Sequence, residues 1–364
     1  MRTRVDGWSV RARVRAIGWL LAALILLAGW PTIDAYGRAA ALLGDAVLRL
    51  PVSPLSWVTA DPITEELHWP NGGYGVFTRP RSSEPHATLL LVLGAEPADP
   101  DDPRVRRLRE GLARIGLASL LVRSEPLIDS RVTPDEIPLL TGAFVALREH
   151  PRVRPDRIGL LGLSVGGSLA LVAAADPAIA DEVWFVLAIG PYFDAATLAL
   201  EVNSRRYRTP AGVVAWDPDA TAVRVVRRTL LAALSPADVE AIEAGREPRS
   251  ADGRVAAELL AAPTLERAEQ LLPALSPSVR EAFAAVSPSA YLPGLRAPLY
   301  LLHDNHDPFI PWTHSEAIAR EYTPDTYHRL DMFEHVDPKL GNVRILLRDG
   351  SRLLRLFAHI IRER

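Results

Sequence analysis

The chain of 364 residues contains no cysteine. That excludes disulfides, iron–sulfur clusters, thiolate zinc sites and a thiol nucleophile together, and it leaves either redox compartment open. Lysine is nearly absent as well: Lys339 is the one lysine, and arginine supplies the rest of 41 basic residues set against 44 acidic ones. A formal charge of −3 provides no basic face for a general polyanion binder, so nucleic acid is not an expected partner. No internal repeat of 20–50 residues is visible, which sets aside solenoids and propellers. What is present is ordinary core-forming composition, 48% apolar and 23% charged, in a length that allows two or three domains or one large domain with insertions.

The charge is uneven. Residues 1–15, MRTRVDGWSVRARVR, hold five arginines and one aspartate, so they carry +4 and the remainder of the chain −7. AIGWLLAALILLAGW follows, and with Pro31, Thr32 and Ile33 it gives eighteen uncharged residues before Asp34. Spanning a bilayer takes about 20 apolar residues, with roughly 17 as the lower limit. Trp19 and Trp30 suit interface positions, and the arginines suit a cytoplasmic N-terminus. Residues 1–35 thus read as a basic tail and a single-pass membrane anchor through residues 16–33, with the body of the protein extracytoplasmic. The competing readings are a signal peptide cleaved near Ala39-Ala40-Ala41, which would give a secreted protein, and a buried helix of a soluble one. Residues 36–60 read as an amphipathic helix and linker. Ala39, Leu42, Leu43, Ala46, Val47 and Leu50 share one helical face, which fits packing on the body or lying at a membrane interface. PVSPLSWVTADP, at 51–62, has the proline and serine of an irregular connection.

From residue 61 short apolar runs alternate with helical patterns. ITEELHW (63–69) and YGVFTR (74–79) flank Asn71-Gly72-Gly73 as a hairpin. ATLLLVLG (87–94), GLASLLVR (116–123), RIGLLGL (157–163) and VWFVLAIG (183–190) are runs of the buried-strand type. Helical patterns at Arg104–Ile115, Pro134–His150 and SLALVAAA (168–175) lie between them. APLYLLH (297–303) and TYHRLDMF (326–333) resume the series, and a helix from about Val343 to Arg362 closes it. This alternation predicts an α/β fold, a mostly parallel sheet with helices on both faces. Its parts are a first core segment, 61–193, and a second, 288–364. Between them TAVRVVRRTLLAAL, SPADVEAIEAGRE, RVAAELLAA and TLERAEQLLPAL read as a helical cap inserted at 194–287, and long insertions in such folds usually cover a site.

Gly162-Leu163-Ser164-Val165-Gly166 is the pattern G-x-S-x-G, placed after a buried strand and before a helix as a nucleophile elbow requires. Small glycines on both sides let strand and helix meet in a tight turn that lifts the serine hydroxyl above the sheet. The following helix N-terminus favours developing negative charge. A serine nucleophile needs a base, and the base needs an orienting carboxylate. Of nine histidines, His335 follows the last strand, where a loop can bring it onto the elbow. Asp307 follows the strand before it. Asp194, after the strand at 183–190, is the rival acid. Val165 N–H supplies one oxyanion donor by position, and Ala95 or Glu96 N–H the other.

The order Ser164, Asp307, His335 and the passage from Val153 to Gly167 resemble the α/β-hydrolase superfamily, in the branch of dienelactone hydrolases and prolyl-oligopeptidase-like esterases and peptidases. The resemblance covers roughly 61–193 and 288–364. Ser287–Leu292 with Ala297–His303 is similar to that family's return to the sheet after a cap, and Asp307-x-x-Ile310-Pro311 to its acid loop. It implies Ser164 as nucleophile, His335 as general base and Asp307 as its partner. Three positions depart from the family: Leu93-Gly94 where His-Gly is frequent, Asp304 where a glycine often follows the histidine, and Glu334 where a glycine often precedes the base. His303, Asp304, His306 and Asp307 also admit a reading as a metal cluster, and Arg205, Arg206, Arg208, Arg224, Arg227 and Arg228 make the cap locally basic. The expectation is a serine hydrolase acting on a small-molecule carboxylic ester through an acyl-enzyme, with no cofactor and no metal. The alternatives are a peptidase or amidase of the same fold and a non-catalytic binding protein.

Overall fold

Runs such as ATLLLVLG and VWFVLAIG have no polar face, so they are stable as strands only where both sides of a sheet are covered. The computed structural model describes residues 29–45, 54–70, 72–94, 101–261, 263–335, 337–338 and 342–364. In it these runs form the middle of an eight-stranded sheet of order β1-β2-β4-β3-β5-β6-β9-β10. The strands are β1 (Ile63–Trp69), β2 (Gly73–Arg79), β3 (His86–Val92), β4 (Ala118–Val122), β5 (Val153–Leu163), β6 (Val183–Ile189), β9 (Leu299–Asp304) and β10 (Thr326–Leu330). β1 with β2 and β2 with β4 are antiparallel, and every pair from β4 to β10 is parallel.

Side chains alternate between the two faces of a strand, and the core divides accordingly. Leu90, Leu120, Leu160 and Val186 join a cluster under α4 (Glu136–Glu149) and α5 (Val165–Ala174). Leu89, Leu91, Leu121, Leu161 and Leu187 join another under α2 (Pro103–Arg114) and α13 (Val343–Glu363). Complete burial of a leucine contributes about 1.5–3 kcal/mol, so these two layers hold the sheet without help from surface ion pairs.

The N-terminal reading is corrected in part. Residues 29–45 are helical and form α1, which crosses the boundary expected at 35/36. Ala35, Ala39 and Leu42 are buried in the cluster with α2 and α13, while Trp30 and Ile33 stay exposed. Of the face expected of residues 36–50, Ala39, Leu42 and Leu43 pack on the body, and Ala46, Val47 and Leu50 lie outside the described residues. Gly111 leaves room for this, because a Cβ there would stand 3.1 Å from Leu42 Cδ1. Residues 16–28 of the expected anchor lie outside the described residues. Among the described residues no helix is long and apolar enough to cross a membrane.

Between β6 and β9 the chain forms α6 (Ala195–Ser204), α7 (Ala220–Ala232), α8 (Pro236–Glu243), α9 (Ala251–Leu260), α10 (Leu265–Leu271) and α11 (Pro277–Ala284). Asp219, Ser235, Ser250 and Thr264 each cap a helix start with a side-chain oxygen, at roughly 1 kcal/mol apiece. The segment is not purely helical: β7 (Arg206–Thr209) and β8 (Gly212–Ala215) form an antiparallel hairpin. Every residue of β8 is exposed, so the pair has no buried face to leave a period-two pattern in the sequence. The cap is anchored to the core by Leu200, Val225 and Leu230 in the main cluster. Thr229 Oγ1 accepts from Val132 N–H at 3.0 Å, just past the short helix α3 (Glu125–Ile128). His314, on α12 (Thr313–Glu321), meets buried Glu201 of α6 at 3.0 Å. The last sheet strand ends at Leu330, earlier than the run TYHRLDMF suggests, and β11 (Phe333–Glu334) pairs separately with β12 (Asp337–Pro338).

Candidate active site

Ser164 stands between the end of β5 and the first residue of α5 with φ +56° and ψ −129°. That is a strained conformation for a residue with a side chain, of order 1–3 kcal/mol, and it persists where the surroundings enforce it. They do so here. Ser164 N–H donates to Ile189 O at 2.7 Å, and Ser164 O accepts from Gly167 N–H at 2.8 Å. A Cβ on Gly162 would lie 2.3 Å from Gly166 O, and one on Gly166 would lie 2.1 Å from Val92 O. The two glycines of the motif are therefore required by backbone packing on both sides of the serine. Val165, expected to supply the first oxyanion donor, is the first residue of α5, directly after the serine. At the end of β3 the ideal Cβ of Gly94 is 3.0 Å from Ser164 Cβ. Ala95 and Glu96, expected to supply the second donor, lie outside the described residues.

Asp307 is buried in the loop after β9. Its Oδ1 accepts from Phe309 N–H at 2.7 Å and Ile310 N–H at 3.1 Å, and its Oδ2 meets His335 Nδ1 at 2.7 Å. Burial pushes this carboxyl up. The His335 charge and hydrogen bond, then His303 and the Phe309 N–H, outweigh it and leave the carboxyl below its ordinary range. The carboxylate fixes the His335 proton on Nδ1 and leaves Nε2 as the acceptor. His335 itself has φ +60°, and the ring of Phe309 stacks on its imidazole at 4.2 Å. Gly190 closes the other side: a Cβ there would stand 3.3 Å from Asp307 Oδ2 and 3.6 Å from His335 Cε1.

Two neighbours brace the loop. His303 is buried and donates through Nε2 to Ile310 O at 2.9 Å, with Asp307 Oδ2 3.6 Å away. Burial lowers its imidazole to about 4, so it is neutral. Asp304 accepts from His306 N–H at 2.7 Å and from Phe333 N–H at 3.1 Å, tying the acid loop to the turn that carries His335. Burial raises its carboxyl to about 6. His306 by contrast is largely exposed and faces Asp331. Among the described residues no three His, Asp or Glu side chains converge as metal ligands would.

Ser164 and His335 share a cavity of about 40 Å³ with Leu198, Thr221, Ala222, Val225, Val226, Phe309 and Ile310. Its roof comes from α6 and α7 and its lining is mainly aliphatic. Asp194 is occupied elsewhere: Oδ1 caps α6 through Thr197 N–H at 2.7 Å, and Oδ2 accepts from Ser289 Oγ at 3.2 Å. The cap arginines do not line this cavity. Arg208 pairs with Glu269 at 2.8 Å, and Arg228 donates to Asp129 O at 2.7 Å. Phe309 and Gly190 are the site neighbours that the sequence pattern does not mark, since each is defined only by what the folded loops bring against it, and His303, marked there as a possible metal ligand, instead braces the acid loop.

The strand order, with its antiparallel edge and parallel middle, and the elbow after β5 define the α/β-hydrolase fold. The chain has that fold. It is similar to the acylaminoacyl peptidase of Pyrococcus horikoshii, with a TM-score of 0.51 at 14% identity over 84% of this chain and 42% of that one. It is likewise similar to acylaminoacyl peptidase in complex with Z-Gly-Gly-Phe-chloromethyl ketone, with a TM-score of 0.50 at 14% identity over 82% of this chain and 41% of that one. A stretch of 61 residues is 44% identical to a probable 2-oxo-3-(5-oxofuran-2-ylidene)propanoate lactonase of Bradyrhizobium sp.. That stretch is 17% of this chain and spans 23% of the lactonase. No family model matches the chain.

Proposed function

We propose that the protein is a serine hydrolase that cleaves carboxylic esters through an acyl-enzyme. The observation that carries this reading is the 2.7 Å contact of Asp307 with His335, where His335 shares one cavity with the elbow serine. In this reading Ser164 Oγ attacks the acyl carbonyl while His335 Nε2 takes its proton. The imidazolium is stabilised by Asp307, and the oxyanion is met by Val165 N–H. His335 then returns the proton to the leaving alcohol, and water repeats the sequence to release the acid. The aliphatic lining of the cavity favours an acyl or alkyl group over a charged one.

We also propose that residues 16–33 tether this hydrolase to a membrane, with the N-terminus cytoplasmic. The +4 charge of residues 1–15 supports it, as do the exposed side chains of Trp30, Ile33, Trp57 and Val58. Protease treatment of intact cells carrying a C-terminal tag tests it. Digestion of the tag before lysis is expected, protection until lysis would place the body inside, and a mature N-terminus near Ala41 would mean a cleaved signal.

The catalytic reading is tested by a fluorophosphonate probe on the wild-type chain and on Ser164→Ala. Labelling of the wild type alone is expected. Labelling of neither would turn the assignment toward a non-catalytic binding protein. Turnover of aryl amides at rates comparable to esters would favour a peptidase or amidase.

A further inference from the structure

Glu136, in the first turn of α4, is 1% exposed and uses only half of its carboxyl. Oε1 accepts from Ser124 Oγ at 2.7 Å, while Oε2 is buried and has no hydrogen-bond partner among the described residues. A buried acceptor left open costs on the order of 1–3 kcal/mol, more when charged. Such a group in a native fold calls for a partner.

The space in front of it has a definite size and place. Glu136 and Ser124 line a cavity of about 10 Å³ with Val92, Leu93, Val122, Leu127 and Leu140. That holds about one water-sized group. Val92 ends β3 and Leu93 follows it, and their carbonyls are the atoms against which Gly166 of the elbow packs. In the sheet order β4 and β3 lie on one side of β5, and β6 and β9 on the other. Val92, which lines the smaller cavity, pairs with Gly162 two residues before Ser164, while the larger cavity that Ser164 shares with His335 lies toward β6 and β9.

The lining decides what the smaller cavity accepts. Apart from Glu136 and Ser124 it is aliphatic, and Ser124 already donates its hydroxyl proton to Glu136. Asp135, of the same sign, adds negative potential, and burial outweighs the Ser124 hydrogen bond to raise the carboxyl to about 7. Tyr192, which also senses Glu136, stays neutral because burial raises its phenol, and it donates to Val286 O at 2.9 Å. A small cation with several N–H donors satisfies Oε2 and its charge together, whereas an alcohol satisfies only the hydrogen bond.

We propose that Glu136 is a specificity residue that receives the primary ammonium group of an amino-bearing ester substrate. The proposal rests on Ser164 being the nucleophile, and it concerns which esters the site prefers.

The test uses the full-length chain, Glu136→Gln and Glu136→Leu. Binding of n-butylammonium and n-butanol is measured by calorimetry. The kcat/KM of alanyl and isobutyryl p-nitrophenyl esters, which differ by ammonium against methyl, is read as a ratio in each protein. The wild type is expected to bind butylammonium at least tenfold more tightly than butanol and to favour the alanyl ester. Both preferences should fall about tenfold or more in the two variants. Equal binding of the two probes by the wild type would mean that the cavity holds only water and would overturn the proposal without any variant. An alanyl preference that persists in Glu136→Gln would overturn it as well. If neither ester is cleaved and Ser164 is unlabelled, the hydrolase reading fails, while the calorimetry still decides the ammonium site.

Discussion

The ring of Phe309 lies 4.2 Å from the imidazole of His335, centroid to centroid, with only 21° between their planes. Phe309 also gives its backbone N–H to Asp307 Oδ1 at 2.7 Å. One residue thus holds both proposed partners of the nucleophile, the acid through its main chain and the base through its side chain. Phe309→Ala separates the two roles, because the backbone donor remains while the stack is lost. Aromatic pairs contribute about 0.5–1.5 kcal/mol beyond area burial. Ester kcat/KM should therefore drop by up to about tenfold with the fold retained. A variant as active as the wild type would show that Asp307 alone aims the imidazole.

Asp307→Asn and Asp194→Asn should part company. Losing the Asp307 charge removes the group that keeps the His335 proton on Nδ1, and turnover is expected to fall by something like ~10⁴-fold, the scale such a change has in a serine protease. Asp194 caps α6, and an amide oxygen caps nearly as well as a carboxylate, so Asp194→Asn should keep its activity and melt within a few degrees of the wild type. An active Asp307→Asn with an inactive Asp194→Asn would reverse the assignment. Steady-state ester kinetics on the two proteins distinguish these outcomes.

The strands of the sheet interior were legible because each is an apolar run bounded by turn residues: β3 and β6 lie where ATLLLVLG and VWFVLAIG place them, and β5 ends with RIGLLGL but starts earlier, at Val153. Ser164 was legible for a local reason, since the two flanking glycines answer backbone clashes within one turn. The approach of Asp307 to His335 was legible only through chain order and a family resemblance, as 28 residues separate them. His335 shows where local reading ends. The turn takes its positive φ at the histidine itself, a conformation that no glycine at that position announces. Glu136 was hidden inside an ordinary helical pattern, because a helix periodicity says which face is buried and not whether a buried carboxyl finds a partner.

Gly166 and Gly94 face the same serine but should respond differently to alanine. At Gly166 the added carbon would come within 2.1 Å of Val92 O, and at Gly94 its nearest atom is Ser164 Cβ at 3.0 Å. The first clash is with the backbone of a central strand and cannot be relieved by a rotamer change. Gly166→Ala is expected to lose at least ~3 kcal/mol and to express poorly, the upper range for overpacking. Gly94→Ala should remain folded and lose ester turnover, because its methyl group presses on Ser164 Cβ at 3.0 Å and pushes the serine out of place. Urea melts and fluorophosphonate labelling of the two variants check this, and a stable Gly166→Ala would mean that the elbow tolerates a wider turn.

His303 makes the pH dependence of stability a separate test. Its imidazole is lowered to about 4 in the folded chain, chiefly by burial, and stands near 6.5 when unfolded. Between those values the unfolded chain binds the additional proton, so stability falls as pH drops from about 6.5 to 4 and is fully available above 6.5. Glu136 and Asp304 work in the opposite direction. Their carboxyls are raised, to about 7 and about 6, so the stability tied to their protonated forms is present at low pH and lost as pH rises. The wild-type curve alone mixes these slopes, and His303→Gln separates them. Its amide can still donate to Ile310 O, the bond His303 makes at 2.9 Å, but it does not titrate. The stability deficit of His303→Gln relative to the wild type should therefore shrink by as much as ~3 kcal/mol between pH 7 and pH 4. A deficit that stays constant across that range, measured by urea unfolding at each pH, would show that His303 accepts its proton in the folded chain as readily as in the unfolded one.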